Sequence, residues 1–140
     1  MATLTDRLAI FNSPHTIKYL RGIVRGIEKE SLRVSPSGNI ANTPHPKSLG
    51  SALTHPSITT DYSEALLEFI TAPSCSIEKV LNELNDIHRF TYRQIGDELL
   101  WASSMPCQLG ADDQIPIAKY GSSNIATMKQ EYRLGLGHRY

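Results

Sequence analysis

Apolar residues return along this chain in two rhythms, one helical and one extended. In residues 76–96, Ile77, Val80, Leu81, Leu84, Ile87, Phe90, Thr91 and Ile95 recur at helical spacing. Ser76 stands where an N-cap belongs, Glu78 falls in the first turn, and Gly96 ends the run. This pattern predicts the clearest helix of the chain. A second helix is expected from about Ser122 or Ser123, with Met128 and Tyr132 sharing a face and Leu134-Gly135-Leu136-Gly137 loosening its end. Residues 3–12 suit a short helix capped near Thr5, which Ser13-Pro14 interrupts.

From residue 17 to residue 34 the pattern reads as extended, with Gly22 and Gly26 inside it. Ser35-Pro36-Ser37-Gly38-Asn39 is turn chemistry between Val34 and Ile40, so a hairpin is expected there. Residues 41–57 carry three prolines and no sustained period, which predicts a long ordered loop. Residues 59–71 are apolar enough to be either strand or helix. Loop is expected at Met105-Pro106-Cys107 and around Asp112-Asp113. No repeat, low-complexity tract or linker divides the 140 residues, a length suited to one ordinary domain with a real core.

Charge narrows the function classes. Lys and Arg number 14 against 14 Asp and Glu, with no block of one sign. Nucleic acids and anionic membranes both require a concentrated cationic face, so neither is expected as a partner. Apolar runs such as residues 8–11 and 65–67 fall far short of the ~20 residues that span a bilayer, and residues 1–20 show no secretory pattern. A cytoplasmic protein is therefore expected. Cys75 and Cys107 form neither a metal spacing nor a disulfide framework, and they read as reduced thiols. The five histidines (His15, His45, His55, His88 and His138) likewise make no ligand spacing.

The carboxylates are the informative chemistry. If residues 21–34 form a strand, Glu28 and Glu30 share one face with Val24, Leu32 and Val34, about 7 Å apart. Such a pair is costly on an apolar face unless a cation lies between them, supplied either by arginines or by a hard metal ion. Glu68 repeats the pattern between Leu66 and Ile70, with Asp61 seven residues upstream. Magnesium favours oxygen donors and leaves room for phosphate, so a nucleotide–metal site suits this set. Spacing leaves other readings open. Glu-x-Glu can be a solvated strand face, Asp61, Glu64 and Glu68 can be the polar side of an amphipathic helix, and a carboxylate pair can serve acid–base chemistry as in glycosidases.

Arg25-Gly26-Ile27-Glu28-Lys29-Glu30-Ser31-Leu32-Arg33-Val34 resembles the opening motif of the proteobacterial type of glutamate–cysteine ligase, also called γ-glutamylcysteine synthetase. Residues 49–55 and 58–71 resemble its next two blocks, as do Ser104-Met105-Pro106-Cys107, Tyr120-Gly121-Ser122-Ser123-Asn124 and Tyr132-Arg133. The likeness runs in order from about residue 20 to the end. It implies an α/β (α+β) fold like that of glutamine synthetase, a curved and mostly antiparallel sheet lined by acidic ligands. It also implies ATP-dependent joining of L-glutamate and L-cysteine through γ-glutamyl phosphate, the first step of glutathione synthesis. By the same resemblance Glu28, Glu30, Asp61 and Glu68 are ligands to Mg²⁺, or Mn²⁺ in its place. Tyr62 and Tyr132 line the cysteine pocket, and Arg133 is a catalytic, substrate-side arginine. Ligases of this type are several times longer, so residues 1–140 are expected to be the N-terminal portion of one catalytic domain. The rival expectation is a non-catalytic metal- or small-ligand-binding module that keeps part of the fold.

Overall fold

In the computed structural model, which describes residues 2–120 and 124–136, the chain opens with two short helices. The first, Leu4–Phe11 (α1), starts at a capping box: Asp6 N donates to Thr3 Oγ1 at 3.2 Å, and Thr3 N donates to Asp6 Oδ2 at 2.8 Å. The second, Pro14–Arg21 (α2), corrects the expectation of extended chain from residue 17. Ser13-Pro14 begins a helix rather than breaking one. The Ser13 hydroxyl accepts from Thr16 N at 3.2 Å, and Pro14 sits at N1, where its missing N–H costs nothing. Neither helix buries a residue.

The extended chain is confined to Glu28–Val34 (β1). It enters the sheet through Gly26, where an added Cβ would stand 3.3 Å from the Thr71 carbonyl oxygen. Val34 leads into the expected hairpin. Ser35 N donates to the Asn39 carbonyl at 2.9 Å, Gly38 takes φ 85°, and Val34 bridges Ile40. Residues 41–57 form the long loop, broken by a single 3-10 turn at Lys47–Leu49 whose Leu49 is buried in the core. The ambiguous stretch that follows resolves into two strands, Ile58–Thr60 (β2) and Leu66–Ile70 (β3), joined by a turn in which Leu66 N donates to the Ser63 carbonyl at 2.9 Å.

Helix α3, Ile77–Tyr92, is capped by Ser76, whose hydroxyl accepts from Lys79 N at 3.2 Å. It ends before the expected Gly96, with Arg93 as C-cap, because the last turn tightens: Arg93 N donates to the Phe90 carbonyl at 3.1 Å and Gln94 N to the Thr91 carbonyl at 2.8 Å, and Gly96 then turns the chain at φ 62°. A two-residue strand, Leu99–Leu100 (β4), completes a sheet in the order β2-β3-β1-β4, antiparallel throughout. Leu67 and Phe69 point from β3 into a core formed with Leu49, Ile58, Ile87, Ile95 and Leu100, so α3 covers one face of the sheet. Helix α4 spans Asn124–Leu136. No described helix is long and apolar enough to cross a membrane.

Arg33 is fully buried on the core side of β1. Its Nη1 donates to Glu98 Oε2 at 2.7 Å and to Thr43 Oγ1 at 2.6 Å, while Nη2 donates to the carbonyls of Thr43 and Glu64, each at 2.9 Å. One guanidinium thus ties β1 to the long loop, to the β2–β3 turn and to the start of β4.

Candidate functional site

Antiparallel register assembles the acidic face. Glu30 pairs directly with Glu68, Glu28 with Ile70, and Thr59 of β2 with Glu68. Directly paired residues share a face, so Glu28, Glu30 and Glu68 stand together on the side of the sheet opposite α3, with Asp61 two residues beyond Thr59. Glu28 and Glu30 are exposed and Glu68 is half-buried, so the predicted cost of burial falls mainly on Glu68. Its carboxyl is pushed above the usual 4.5, first by burial and then by the charges of Asp61, Glu28 and Glu30. Like charges opposite one another also weaken a sheet, so this pairing opposes stability.

Arg33 is not the arginine that neutralises the pair. Arg33 points into the core, away from Glu28 and Glu30. Among the described residues, Lys129 of α4 is a cation that reaches the acidic face. Its Nζ lies 3.9 Å from Asp61 Oδ1, donates to the Asp61 carbonyl, and donates to Tyr120 Oη at 3.2 Å. The Tyr120 hydroxyl donates to the Thr60 carbonyl, and burial together with the charges of Asp61 and Glu64 pushes its pKa up to about 12. The sequence assigns neither residue a role, although Tyr120 opens one of the blocks named above. Lys129 precedes Tyr132 by one helical turn, and that spacing was the available signal.

Of the aromatic pair, Tyr62 donates to the Lys129 carbonyl at 3.2 Å and meets Tyr132 edge-on with centroids 6.2 Å apart. Residues 62 and 132, seventy apart in sequence, therefore come together beside Asp61. Arg133 follows on α4, but its side chain lies outside the described residues, as do Gly121, Ser122, Ser123 and His138. Glu64 does not join the acidic face. It is buried, and its two oxygens accept from His45 N at 2.8 Å and Lys119 N at 2.6 Å, which pins the long loop and residues 116–120 to the β2–β3 turn.

Other candidates take structural places. His88 packs edge-on against Phe69 at 4.8 Å, and His55 Nδ1 accepts from Ser57 N and Ile58 N. Cys75 is exposed and Cys107 buried, and neither is disulfide-bonded. A groove of about 950 Å³ runs between α3 and residues 55–58, on the far side of the sheet from the acidic face.

Among the described residues, no three His, Cys, Asp or Glu side chains close on a common point at metal-binding geometry. The donor set nevertheless suits a hard divalent cation: four carboxylates from β1, β3 and the end of β2, carried on paired strands and mutually repelling. Their rotamers are free to splay apart where they are exposed, and a cation between them would reverse the sign of their interaction.

Comparison with known proteins adds the family. The model of the family described as glutamate-cysteine ligase matches residues 8–140. A glutamate–cysteine ligase of Alcanivorax borkumensis is 56% identical over all of this chain, which covers 27% of that relative, and one of Saccharophagus degradans is 60% identical over 86% of the chain, covering 23% of the relative. The chain thus spans about a quarter of the length of these curated relatives. Among solved structures, the glutamate–cysteine ligase of Francisella tularensis, in complex with AMP, superposes at a TM-score of 0.75 with 47% identity, covering 84% of this chain and 24% of its own. A bifunctional glutathione synthetase from Pasteurella multocida gives a TM-score of 0.75 at 31% identity over 90% of this chain and 16% of its own.

Proposed function

Because the chain belongs to the glutamate–cysteine ligase family, we propose that its protein uses ATP to join the γ-carboxyl of L-glutamate to the amine of L-cysteine, the first step of glutathione synthesis. The larger part of each relative lies outside the matched region, so this chain contributes one portion of such a site: an acidic face and an aromatic wall beside it. The observation that carries the reading is the direct pairing of Glu30 with Glu68, flanked by Glu28 and Asp61.

Glu28, Glu30, Asp61 and Glu68 would hold magnesium, or manganese in its place. When bound, such an ion neutralises triphosphate charge and orients the terminal phosphate for in-line attack. The reaction then has two displacements. A γ-carboxylate oxygen of glutamate attacks the terminal phosphorus of ATP, the bond to ADP breaks, and γ-glutamyl phosphate forms. The free amine of cysteine attacks the acyl carbon, phosphate leaves, and the nitrogen loses its proton. Tyr62 and Tyr132 supply a ring surface for the thiol-bearing substrate and keep water from the acyl phosphate. Arg133, next to Tyr132, is the candidate catalytic cation, neutralising carboxylate or phosphoryl oxygen as charge develops.

The test is isotopic. Glutamate labelled with ¹⁸O in its γ-carboxylate is incubated with cysteine, ATP, Mg²⁺ and the protein at its natural length. Transfer of one labelled oxygen to phosphate for each γ-glutamylcysteine formed supports the proposal. Unlabelled phosphate, or no peptide with either Mg²⁺ or Mn²⁺, overturns it.

A further inference from the structure

Helix α4 reaches the acidic face through one side chain. Lys129 is largely buried, its side chain 14% exposed, and its ammonium sits among the Asp61 carboxylate, the Asp61 carbonyl and the Tyr120 hydroxyl, 4.7 Å over the Tyr120 ring centroid. A buried ammonium requires this kind of compensation, from an anion, from acceptors and from an aromatic face. The same residue is held at its other end, because its carbonyl accepts from the Tyr62 hydroxyl. One turn further along, Tyr132 meets the Tyr62 ring. Lys129 is therefore the joint between the carboxylates and the aromatic pair.

Resting on the reading of that face as a divalent-cation site, we propose that Lys129 is a positioning residue with two opposed effects. It serves as the counter-charge of the carboxylates when no ion is bound, and so competes with the ion. It also docks α4 so that Tyr132 faces Tyr62. Among the charges acting on Glu68, that of Lys129 opposes those of Asp61, Glu28 and Glu30 without outweighing them. A unit charge about 6 Å from a divalent ion, on an exposed face screened nearly as in water, changes its affinity by roughly tenfold. A residue that merely packs the helix would weaken cation binding when lost, so the sign of the change separates the two roles.

The experiment titrates the protein at its natural length with Mn²⁺, without nucleotide or substrates, and follows free Mn²⁺ by electron paramagnetic resonance. Lys129→Met and Lys129→Gln both remove the charge, and Gln keeps a donor for the Asp61 carbonyl should Met fail to fold. Both are expected to bind Mn²⁺ about tenfold tighter than wild type, while the KM for cysteine rises. Lys129→Arg is expected to restore wild-type affinity. Unchanged or weaker binding by both neutral variants overturns this inference and leaves the metal reading standing. No Mn²⁺ binding by wild type overturns both.

Discussion

Glu68 is the residue on which the opposing forces of the site meet. Its raised pKa means that the folded state binds a proton more tightly than the unfolded chain does. The resulting stabilisation is fully present below the ordinary value of 4.5 and is lost as pH rises through the folded pKa. Metal-free protein should therefore lose stability as pH rises above 4.5, and Glu68→Gln should flatten that slope; urea denaturation across pH in EDTA measures the difference. Arg33 shows the opposite design, a charge buried with its partners. Arg33→Met should destabilise the fold by about 3–5 kcal/mol, because it leaves the Glu98 carboxylate unpaired. Equilibrium unfolding of wild type and variant reads this directly, and a loss below 1 kcal/mol would show the network to be incidental. The acidic residues were legible in the sequence because carboxylates among apolar neighbours stand out. Lys129 and Tyr120 were not, since their role depends on where α4 comes to rest.

Elements with a strong local signal matched their sequence pattern: the Ser76 cap and apolar stripe of α3, and the turn at residues 35–39. Residues 59–71 stayed ambiguous because a short apolar run has no period of its own. What makes it two strands is the Ser63 turn and pairing with β1. Helix α2 departs from its sequence pattern for a local reason: Pro14 suits a helix breaker and an N1 residue equally, and it takes the N1 place. Helix α4 carries the functional consequence at this scale. With Tyr132 set against Tyr62, Tyr132→Ala should raise the KM for cysteine more than it raises those for glutamate and ATP, by an amount equivalent to about 1–3 kcal/mol. Initial-rate kinetics varying each substrate check this. Equal effects on all three would point to a disturbed fold instead.

At the scale of the molecule, the described chain has features that call for further cover. Helices α1 and α2 bury no residue and expose Leu4, Leu8, Ile10, Phe11 and Tyr19, and β2 and β4 are edge strands. The matched region is also only about a quarter of each curated relative. A polypeptide of residues 1–140 alone should accordingly give no ATP-dependent γ-glutamylcysteine, a result that chromatography of the reaction products establishes; robust formation would contradict it.

The proposed role of the carboxylate face is to hold a catalytic cation at the expense of apo-state stability. The most direct test compares wild type with Glu68→Gln at the protein's natural length, by thermal melts in EDTA and in Mg²⁺–ATP, alongside turnover. The variant keeps the shape of the side chain and removes one of four crowded charges. It should melt at the same temperature or slightly higher in EDTA, gain less from Mg²⁺–ATP than wild type does, and lose turnover by orders of magnitude. If it instead melts several degrees lower without metal and keeps most of its turnover, Glu68 is a structural residue and the metal-site assignment is wrong.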